Sequence, residues 1–577
     1  MSYFRDRNPS PSQASLGPLP LPMGEGKLGS RISRPAAERW LQAAAVIIGL
    51  ALALPIVTIA VLALTPGENI WPHLLATVLP GYVWRTLALL AGVGLITFVI
   101  GTAVAWLVTM CSFPLRRMFQ WASLVPLAAP GYIVAYTYVD FLSYAGPLQT
   151  WARGVFGWTT PSDYWFPEIR SLSGAIFVMS MVLYPYVFLT ARASFIRQPA
   201  TQIEVARALG QTPWGAFRNV ALPMARPAIA VGVSLALMEC LNDIGAVGFF
   251  GVRTLSLGIY TTWLAQGNLG GAAQIAAVML VFVFALLWIE RAARRQQAFV
   301  TPSQRTHGNR RVKLKGWRGW AAFVACALPI FLGFVLPGLV LIGFAMRRFG
   351  DAANLAYVEA VWHSLILATT AAIAAVGLGV ILAYANRITD SRPTRQIIRL
   401  ASAGYAIPGT VLGIGVLIPL AGLDNGLDDV MRRHFGISTG LLLSGTIAAV
   451  TYAYVVRFLA ISLGTVESGL EKVTPNLAAV ARTLGRGPLA AFREVHLPLL
   501  RPALVSAALL VFVDCMKELP ATLILRPFDF ETLATMVFTL ASLDQLEESA
   551  LPALTIVAAG LLPVILLSRT LRDPKIN

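Results

Sequence analysis

Long apolar segments alternate with short polar segments along almost the whole chain. A helix needs roughly 20 apolar residues to cross the hydrocarbon core of a membrane, and the sequence contains about twelve such segments. In the first half the predicted spans are residues 40–64, 84–109, 121–143, 171–194, 226–250 and 270–290. In the second half they are residues 318–345, 362–386, 400–422, 439–463, 501–525 and 549–568. The pattern predicts an all-α integral membrane protein with six spans in each half.

Composition and charge place the protein in a membrane and orient it there. Apolar residues make up 56% of the 577 residues and the mean hydropathy is +0.68, which excludes a soluble globular protein. The formal net charge of +17 would suggest a nucleic acid partner for a soluble protein. Here, however, the basic residues lie in alternate loops, for example at Arg116, Arg117 and Arg569. Because cytoplasmic loops carry the excess of Lys and Arg, we expect both termini in the cytoplasm and no nucleic acid partner.

The chain divides into four regions. Residues 1–39, rich in Pro, Ser and Gly over their first thirty positions, are predicted to form a disordered cytoplasmic tail. Residues 40–290 and 318–570 are predicted to be two homologous transmembrane domains. The basic residues 291–317 should link them without packed structure. With an even number of spans in each half, the copies share one orientation, and the seam between them can form a pathway.

One cytoplasmic segment of the first half recurs in the second half, with Gly210 matching Gly485 at an offset of 275 residues. We call the two copies the repeated segments (residues 204–227 and 479–502). The candidate docking residues of the first copy are Glu204, Ala206, Gly210, Pro213, Phe217, Arg218, Leu222 and Pro223. Those of the second copy are Ala481, Gly485, Pro488, Phe492, Arg493, Leu497 and Pro498.

Each repeated segment is predicted to form two short helices. The first helix should end at Gly210, because glycine readily adopts the left-handed conformation. Thr212 and Pro213 then predict the start of a second helix, which Leu222-Pro223 should end. The predicted apolar face of that helix contains Trp214, Phe217 and Val220 or Ala221 in the first copy, and Leu489, Phe492 and Val495 or His496 in the second.

An amphipathic loop lying on lipid headgroups is the alternative interpretation of the repeated segments. That alternative accounts for an apolar face, but it explains neither the duplicated Gly and Leu-Pro spacing nor the occurrence of the segment twice. A matched pair of docking surfaces on one side of the membrane is therefore favoured.

The spacing Glu-x-Ala, three residues, Gly, nine residues, Val-x-Leu-Pro resembles the EAA loop of the permeases of binding-protein-dependent ABC importers. The resemblance implies the type I importer fold in a bacterial inner membrane. It also implies two copies of a cytoplasmic ATPase, docked through the two loops, and a periplasmic solute-binding protein. Ala479 stands where the first copy has Glu204, so we expect the second contact to depend more on apolar packing.

The chain lacks the Gly-x-x-x-x-Gly-Lys-Ser/Thr pattern of an ATP site. We therefore expect no cofactor on this chain and no enzymatic activity of its own, with ATP and Mg used by the partner ATPase. A parallel-repeat secondary transporter, which needs no ATPase, is the alternative of another class. No catalytic constellation of nucleophile, base and metal can be assembled that would favour an enzyme.

The fused two-permease design and the stretches 238–247, 517–528 and 531–535 resemble the ferric-iron importers. Related permeases that handle thiamine, polyamines or sulfate remain alternatives. The five histidines are dispersed without ligand spacing and the four cysteines are scattered, so we expect neither a fixed metal centre nor a disulfide framework.

Four acidic residues are candidates for a translocation path: Glu239, Asp243, Asp514 and Glu518. On a continuous helix, Glu239 lies ~20 Å from the cytoplasmic side, near the middle of the membrane. Ionisable groups at that depth face a partner or a water-filled cavity, and carboxylates suit a hard trivalent cation. In the alternative interpretation these residues form scaffold networks, with Lys517 pairing with Asp514 and Asn242 with Glu239.

Overall fold

The computed structural model describes residues 36–64, 71–295, 311–352, 354–388, 391–471, 473, 490 and 492–570. The helices of the first half are α1 (Ala36–Leu64), α2 (Trp71–Ala76), α3 (Leu79–Met110), α4 (Arg116–Ala122), α5 (Gly131–Leu142), α6 (Pro147–Phe156), α7 (Leu172–Arg197), α8 (Ala200–Ala208), α9 (Pro213–Ala216), α10 (Leu222–Asn242), α11 (Ile244–Phe249), α12 (Leu255–Tyr260) and α13 (Leu269–Arg295).

The described helices of the second half are α14 (Trp317–Ile330), α15 (Leu336–Ala352), α16 (Leu355–Ile388), α17 (Arg392–Ala401), α18 (Gly409–Phe435), α19 (Ile447–Glu471), α20 (Leu497–Met516), α21 (Pro520–Leu525), α22 (Leu533–Ser542) and α23 (Leu546–Thr570). Two-residue strands, β1 (Cys111–Ser112) and β2 (Val312–Lys313), form one parallel pair. Short 3-10 turns lie at Val125–Ala128, Pro161–Asp163 and Ser402–Ala406, and π-helical turns at Phe217–Ala221, Thr261–Ala265, Phe331–Val335 and Phe492–His496.

The all-helical membrane fold is confirmed. Within the described ranges, eleven helices are long and apolar enough to cross a membrane. A twelfth crossing arises if the pair Arg116–Ala128 and Gly131–Phe156, bent by 86°, is one span. The bend falls at the predicted span 121–143, where Pro130 is extended (ψ 144°) and starts α5 instead of continuing the preceding turn.

Three other predicted spans have different bounds in the structure. The span predicted at 400–422 contains Pro408, whose backbone is extended (ψ 143°). Helix α18 therefore starts only at Gly409. The spans predicted at 226–250 and 501–525 also do not run through. Instead, α10 and α20 end at Asn242 and Met516, and a short helix follows each one.

Each half begins with a helix that packs on the other half. Helix α1 contacts α17 and α18, while α14 contacts α3 and α4. The Tyr452 hydroxyl donates to the main-chain carbonyl of Ala51, and the Tyr138 hydroxyl donates to that of Leu332 over 2.7 Å. Each half therefore interlocks with the other through its first helix.

The linker predicted at residues 291–317 to lack packed structure has regular structure at both of its ends. Helix α13 extends to Arg295, and Val312–Lys313 pairs in parallel with Cys111–Ser112 of the first half. The Leu314 N–H continues this pairing by donating to the Ser112 carbonyl over 3.0 Å. Residues 296–310 of the linker lie outside the described residues, as does the predicted tail up to residue 35.

Candidate functional site

The first repeated segment has the predicted turn at Gly210, whose φ is +85°. The Gln211 N–H donates to the Ala206 carbonyl over 3.1 Å, and the Gly210 N–H donates to the Arg207 carbonyl over 3.0 Å. These two bonds form a Schellman motif that satisfies the last carbonyls of α8. The Thr212 hydroxyl then accepts the Gly215 N–H over 3.1 Å and caps α9. Both short helices are thus closed by hydrogen bonds at the turn between them.

The predicted apolar face is divided between the inside and the outside of the bundle. Phe217 is buried against Trp106 and Phe195, with ring centroids 4.7 Å and 6.5 Å away. The prediction that Phe217 belongs to a free docking face is therefore wrong, because α3 and α7 cover it. The exposed apolar side chains of the segment are instead Val205, Leu209 and Trp214. Glu204 and Arg218 are also exposed, whereas Ala206 is buried.

Leu222 and Pro223 do not end the second helix. The chain from Pro213 to Asn242 is one continuous helix, with a π-helical turn at Phe217–Ala221. Proline lacks an N–H and its ring collides with the carbonyl four residues earlier, so the wider turn accommodates Pro223. The second copy has the same device at Phe492–His496, immediately before Leu497 and Pro498.

Half of the second repeated segment lies outside the described residues, including Ala481, Gly485 and Pro488. Its described part matches the first copy. Phe492 lies 4.7 Å from the ring of Tyr384, the same centroid distance as that between Phe217 and Trp106. Arg493 is exposed, as Arg218 is. Both segments are therefore anchored to the bundle by an aromatic pair at matching positions.

A polar cavity of about 90 Å³ lies at the seam between the halves, and we call it the seam cavity. It is large enough for several water molecules. All four predicted path residues line it, together with two basic residues. The charged residues of the lining are Glu239, Asp243, Arg457, Asp514, Lys517 and Glu518.

Asp243 and Glu518 hold matching positions at the helix breaks. The Asp243 carboxylate accepts the Ala246 N–H over 2.8 Å and caps α11. The Glu518 carboxylate accepts the Ala521 N–H over 3.2 Å at the start of α21. Each carboxylate is therefore held by the main chain of the short helix that follows it.

The two capping carboxylates also pack against matching glycines. A Cβ on Gly131 would lie 2.2 Å from Asp243 Oδ2, and a Cβ on Gly409 would lie 2.5 Å from Glu518 Oε1. The sequence Pro130-Gly131 recurs as Pro408-Gly409 in the second half. The glycine of each pair has a structural reason, because any larger residue would collide with the carboxylate.

Glu239 and Asp514 lie one turn earlier on α10 and α20. The Tyr405 hydroxyl donates to Glu239 over 3.1 Å, and Lys517 forms a 2.8 Å ion pair with Asp514. The predicted pairing of Lys517 with Asp514 is confirmed. The predicted pairing of Asn242 with Glu239 is wrong, because Asn242 points across the seam to other partners.

Arg457 is a central residue of the seam cavity that the sequence analysis did not identify. It is buried at 3% exposure, and its Nε lies 3.2 Å from Glu518 Oε2. Its Nη1 donates to Asn242 Oδ1 over 2.9 Å and to the Ile407 carbonyl over 3.1 Å. An arginine inside the predicted span 439–463 is itself the signal that could have identified it, since charged groups inside a span mark partners or pathways.

The cavity carries four carboxylates against two cationic side chains, and so an excess of negative formal charge. Within the described ranges, no three His, Cys, Asp or Glu side chains form a group that could hold a metal ion. A cation would therefore find a polar passage with acidic walls there, and no tight site.

Residues 97–297 match the family described as "Binding-protein-dependent transport system inner membrane component". Residues 97–297 form a domain of this family of permeases. The permease is 25% identical over 541 residues to the Fe(3+)-transport system permease protein FbpB 2 of Haemophilus influenzae, covering 92% of this chain and 98% of that relative. It is 21% identical over 518 residues to the ferric transport system permease protein FbpB of Actinobacillus pleuropneumoniae, covering 86% and 72%. It is 27% identical over 213 residues to the sulfate transport system permease protein CysW of Escherichia coli, covering 36% and 70%.

Family membership decides between the two classes of transporter that the sequence left open. The protein is the permease of an ABC importer, a class that works with ATPase and binding-protein partners, and not a secondary transporter. The alignment over 541 residues fits a chain in which two permease halves are fused. The permeases of this family are multi-pass proteins of bacterial inner membranes and are not themselves catalytic.

Proposed function

We propose that this permease carries ferric iron, delivered by a periplasmic binding protein, through the seam cavity into the bacterial cytoplasm. The observation that carries the proposal is the excess of carboxylates over cationic groups in the cavity lining. Carboxylate oxygens are hard ligands and suit a hard trivalent cation. The relatives named for ferric transport support the same cargo, because their alignments cover 92% and 86% of the chain.

Sulfate is a weaker candidate for the cargo. The relative named for sulfate aligns with only 36% of the chain. An anion would also meet four carboxylates, while the two cationic side chains are engaged with Glu518 and Asp514. Like charges at this depth in the membrane are strongly unfavourable, so the lining favours a cation.

The energy for uptake comes, in this proposal, from two copies of a cytoplasmic ATPase bound at the two repeated segments. The docking surface of the first copy would consist of the exposed Val205, Leu209 and Trp214, flanked by Glu204 and Arg218. The 30-residue helix Pro213–Asn242 connects this surface directly to the seam cavity. At 1.5 Å per residue it is roughly 45 Å long. Movement of the docked end therefore reaches Glu239 and Asn242 through a single rigid element.

Transport in proteoliposomes tests the cargo. The permease, reconstituted with its ATPase and binding protein, should accumulate ferric iron on addition of ATP, and it should not accumulate thiamine, a polyamine or sulfate. Accumulation of one of these other compounds in place of iron would reject the proposed cargo. Uphill transport by the permease alone, without nucleotide, would reject the ATP-driven mechanism.

A substitution at Gly210 tests the docking role of the repeated segment. Valine at a φ of +85° is strained by roughly 1–2 kcal/mol, which should open the turn and weaken co-purification of the ATPase. Gly215→Ala is the matched control, because a Cβ there meets its nearest neighbour at an ordinary 3.4 Å. Equal recovery of the ATPase with Gly210→Val and with the control would contradict the docking role.

A further inference from the structure

Asn242 connects the two halves at the level of the seam cavity. Its Oδ1 accepts the main-chain N–H of Gly409 over 2.7 Å and the Arg457 guanidinium over 2.9 Å, and both donors belong to the second half. Both partners are pure donors, so the amide oxygen must face them. On the next helix, a Cβ at Gly245 would lie 3.2 Å from Leu519 of the second half. The halves are in direct contact at this level.

The second half lacks the reciprocal contact. A Cβ on Gly101 would lie 2.6 Å from Val187, and a Cβ on Gly379, its match, would lie 2.6 Å from Ser462. Because the two glycines match, their contacts Val187 on α7 and Ser462 on α19 also match, and these are 275 residues apart. At this offset the residue that matches Arg457 is Val182. At the same offset, Asn242 matches Lys517, which pairs within its own half. The hydrogen-bonded contact of Asn242 across the seam is thus built from one side only.

We propose that Asn242, Gly409 and Arg457 form an interhalf gate that closes the pathway in this conformation and opens in each transport cycle. Opening breaks the two hydrogen bonds that the Asn242 oxygen accepts. Arg457 keeps Glu518 and the Ile407 carbonyl when Asn242 leaves, so no buried charge loses its counter-charge. A contact that can break without isolating a charge is suited to repeated opening.

The position of Asn242 connects the gate to the ATPase side. Asn242 is the last residue of the continuous helix that starts at Pro213 in the repeated segment. Withdrawal of this helix would also break the hydrogen bond that Tyr405 donates to Glu239 across the seam. The carboxylate of Glu239 would then be free to meet the cargo cation as the passage opens. This inference rests on the ATP-driven movement of the helix Pro213–Asn242 in the proposed function, and it does not depend on which cargo is carried.

Two variants of nearly equal volume separate the gate from simple packing. Asn242→Leu removes the acceptor oxygen, whereas Asn242→Asp keeps it. The measurement is entry of Mn²⁺ into calcein-loaded proteoliposomes that contain the permease with its ATPase, followed as fluorescence quenching without nucleotide. Loss of a hydrogen bond to a charged group shifts a two-state equilibrium by roughly tenfold or more. Asn242→Leu should raise Mn²⁺ entry by about that factor, and Asn242→Asp should leave it unchanged.

Arg457→Lys provides an independent arm. An ammonium group can keep the ion pair with Glu518, but it lacks the fork that lets Arg457 reach Glu518 and Asn242 together. This variant should therefore leak as Asn242→Leu does. No increase in Mn²⁺ entry with Asn242→Leu, or an equal increase with Asn242→Asp, would overturn the gate.

If Asn242→Leu does not assemble, Asn242→Asp still decides the question. A carboxylate facing Arg457 strengthens the closed state, so ATP hydrolysis stimulated by the loaded binding protein should fall severalfold. Unchanged stimulation would overturn the proposal. The measurement of Mn²⁺ entry does not depend on the identity of the natural cargo. If Asn242→Leu raises Mn²⁺ entry but the permease does not take up ferric iron, only the proposed cargo is rejected and the gate is retained.

Discussion

At the outer ends of the helices the two halves use the same contact twice. The Thr86 hydroxyl accepts the Leu255 N–H over 3.0 Å at the start of α12, and the Ser364 hydroxyl accepts the Leu533 N–H over 2.8 Å at the start of α22. Both contacts are buried. They explain why the sequence Trp84-Arg-Thr-Leu87 of the first half recurs as Trp362-His-Ser-Leu365 in the second. This hydrogen bond stabilises the packing of each half, and it is the same in both halves.

At the seam the two halves differ. Arg457 and the matching Val182 both line the seam cavity, and Asn242 corresponds to Lys517. In a dimer of identical subunits, an arginine at this position would face a second buried arginine across the axis, at a high cost in desolvation and repulsion. Fusion of the halves in one chain removes that constraint. The comparison indicates that positions alike in the two halves, such as Thr86 and Ser364, form the structural frame of the bundle. Positions that differ, such as Asn242 and Arg457, control the pathway.

The largest effect is expected from Arg457→Met, which removes the second half's buried cation. It leaves Glu518, at 5% exposure, without its counter-charge, and breaking a buried pair in this way costs about 3–5 kcal/mol. Thermal unfolding of the purified permease should show a large drop in midpoint. The double variant Arg457→Met with Glu518→Gln should recover part of the loss, because it removes the isolated charge. A midpoint equal to that of the unaltered protein would show that the pair is not buried as described.

Gly131→Ala and Gly409→Ala test the symmetric part of the same region. The added methyl would lie within 2.5 Å of a carboxylate oxygen in both halves, and overpacking of this kind costs about 1–3 kcal/mol. We expect similar losses of thermal stability for the two variants. Gly377→Ala is the control, since no atom lies within 4 Å of its added Cβ. Loss in only one half would show that the two carboxylate sites are less alike than their geometry.

Thr86→Val and Ser364→Ala sharpen the comparison at the outer ends. Each removes the acceptor of a buried main-chain N–H, at a cost of about 1 kcal/mol. The two variants should lower the unfolding midpoint by similar amounts, and their effects should add, because the two contacts lie in different halves and share no partner. Mn²⁺ entry should be unaffected. Increased Mn²⁺ entry in either variant would show that these contacts also affect the gate at Asn242, and it would contradict their purely structural role.

The smallest effect is expected from Lys517→Met. The Lys517–Asp514 pair is partly exposed, at 31% and 24% for the two side chains, and such pairs contribute less than about 1 kcal/mol. The unfolding midpoint should therefore change little, in contrast to that of Arg457→Met. A loss as large as that of the buried pair would show that the two ion pairs are equivalent and would remove the basis of the comparison.

The sequence determined the features of this permease that depend on neighbouring residues. The apolar segments predicted the helical membrane fold, Gly210 and Thr212 predicted the turn and cap that the structure contains, and Lys517 predicted its own partner three residues away. In each case the interacting groups lie within a few residues of one another. Local hydrogen bonding and hydrophobic length are therefore sufficient to predict them.

Only the tertiary structure decided which groups meet across the seam. Asn242 and Arg457 are 215 residues apart in the chain, and nothing in either local sequence distinguishes this pairing from the predicted pairing of Asn242 with Glu239. Phe217 likewise fits an exposed apolar face by its spacing, yet α3 and α7 cover it. Periodicity states which residues share a face, but the element that covers that face is set by the packing of distant helices. For that reason the repeat and the membrane fold could be predicted from the sequence, whereas the gate could not.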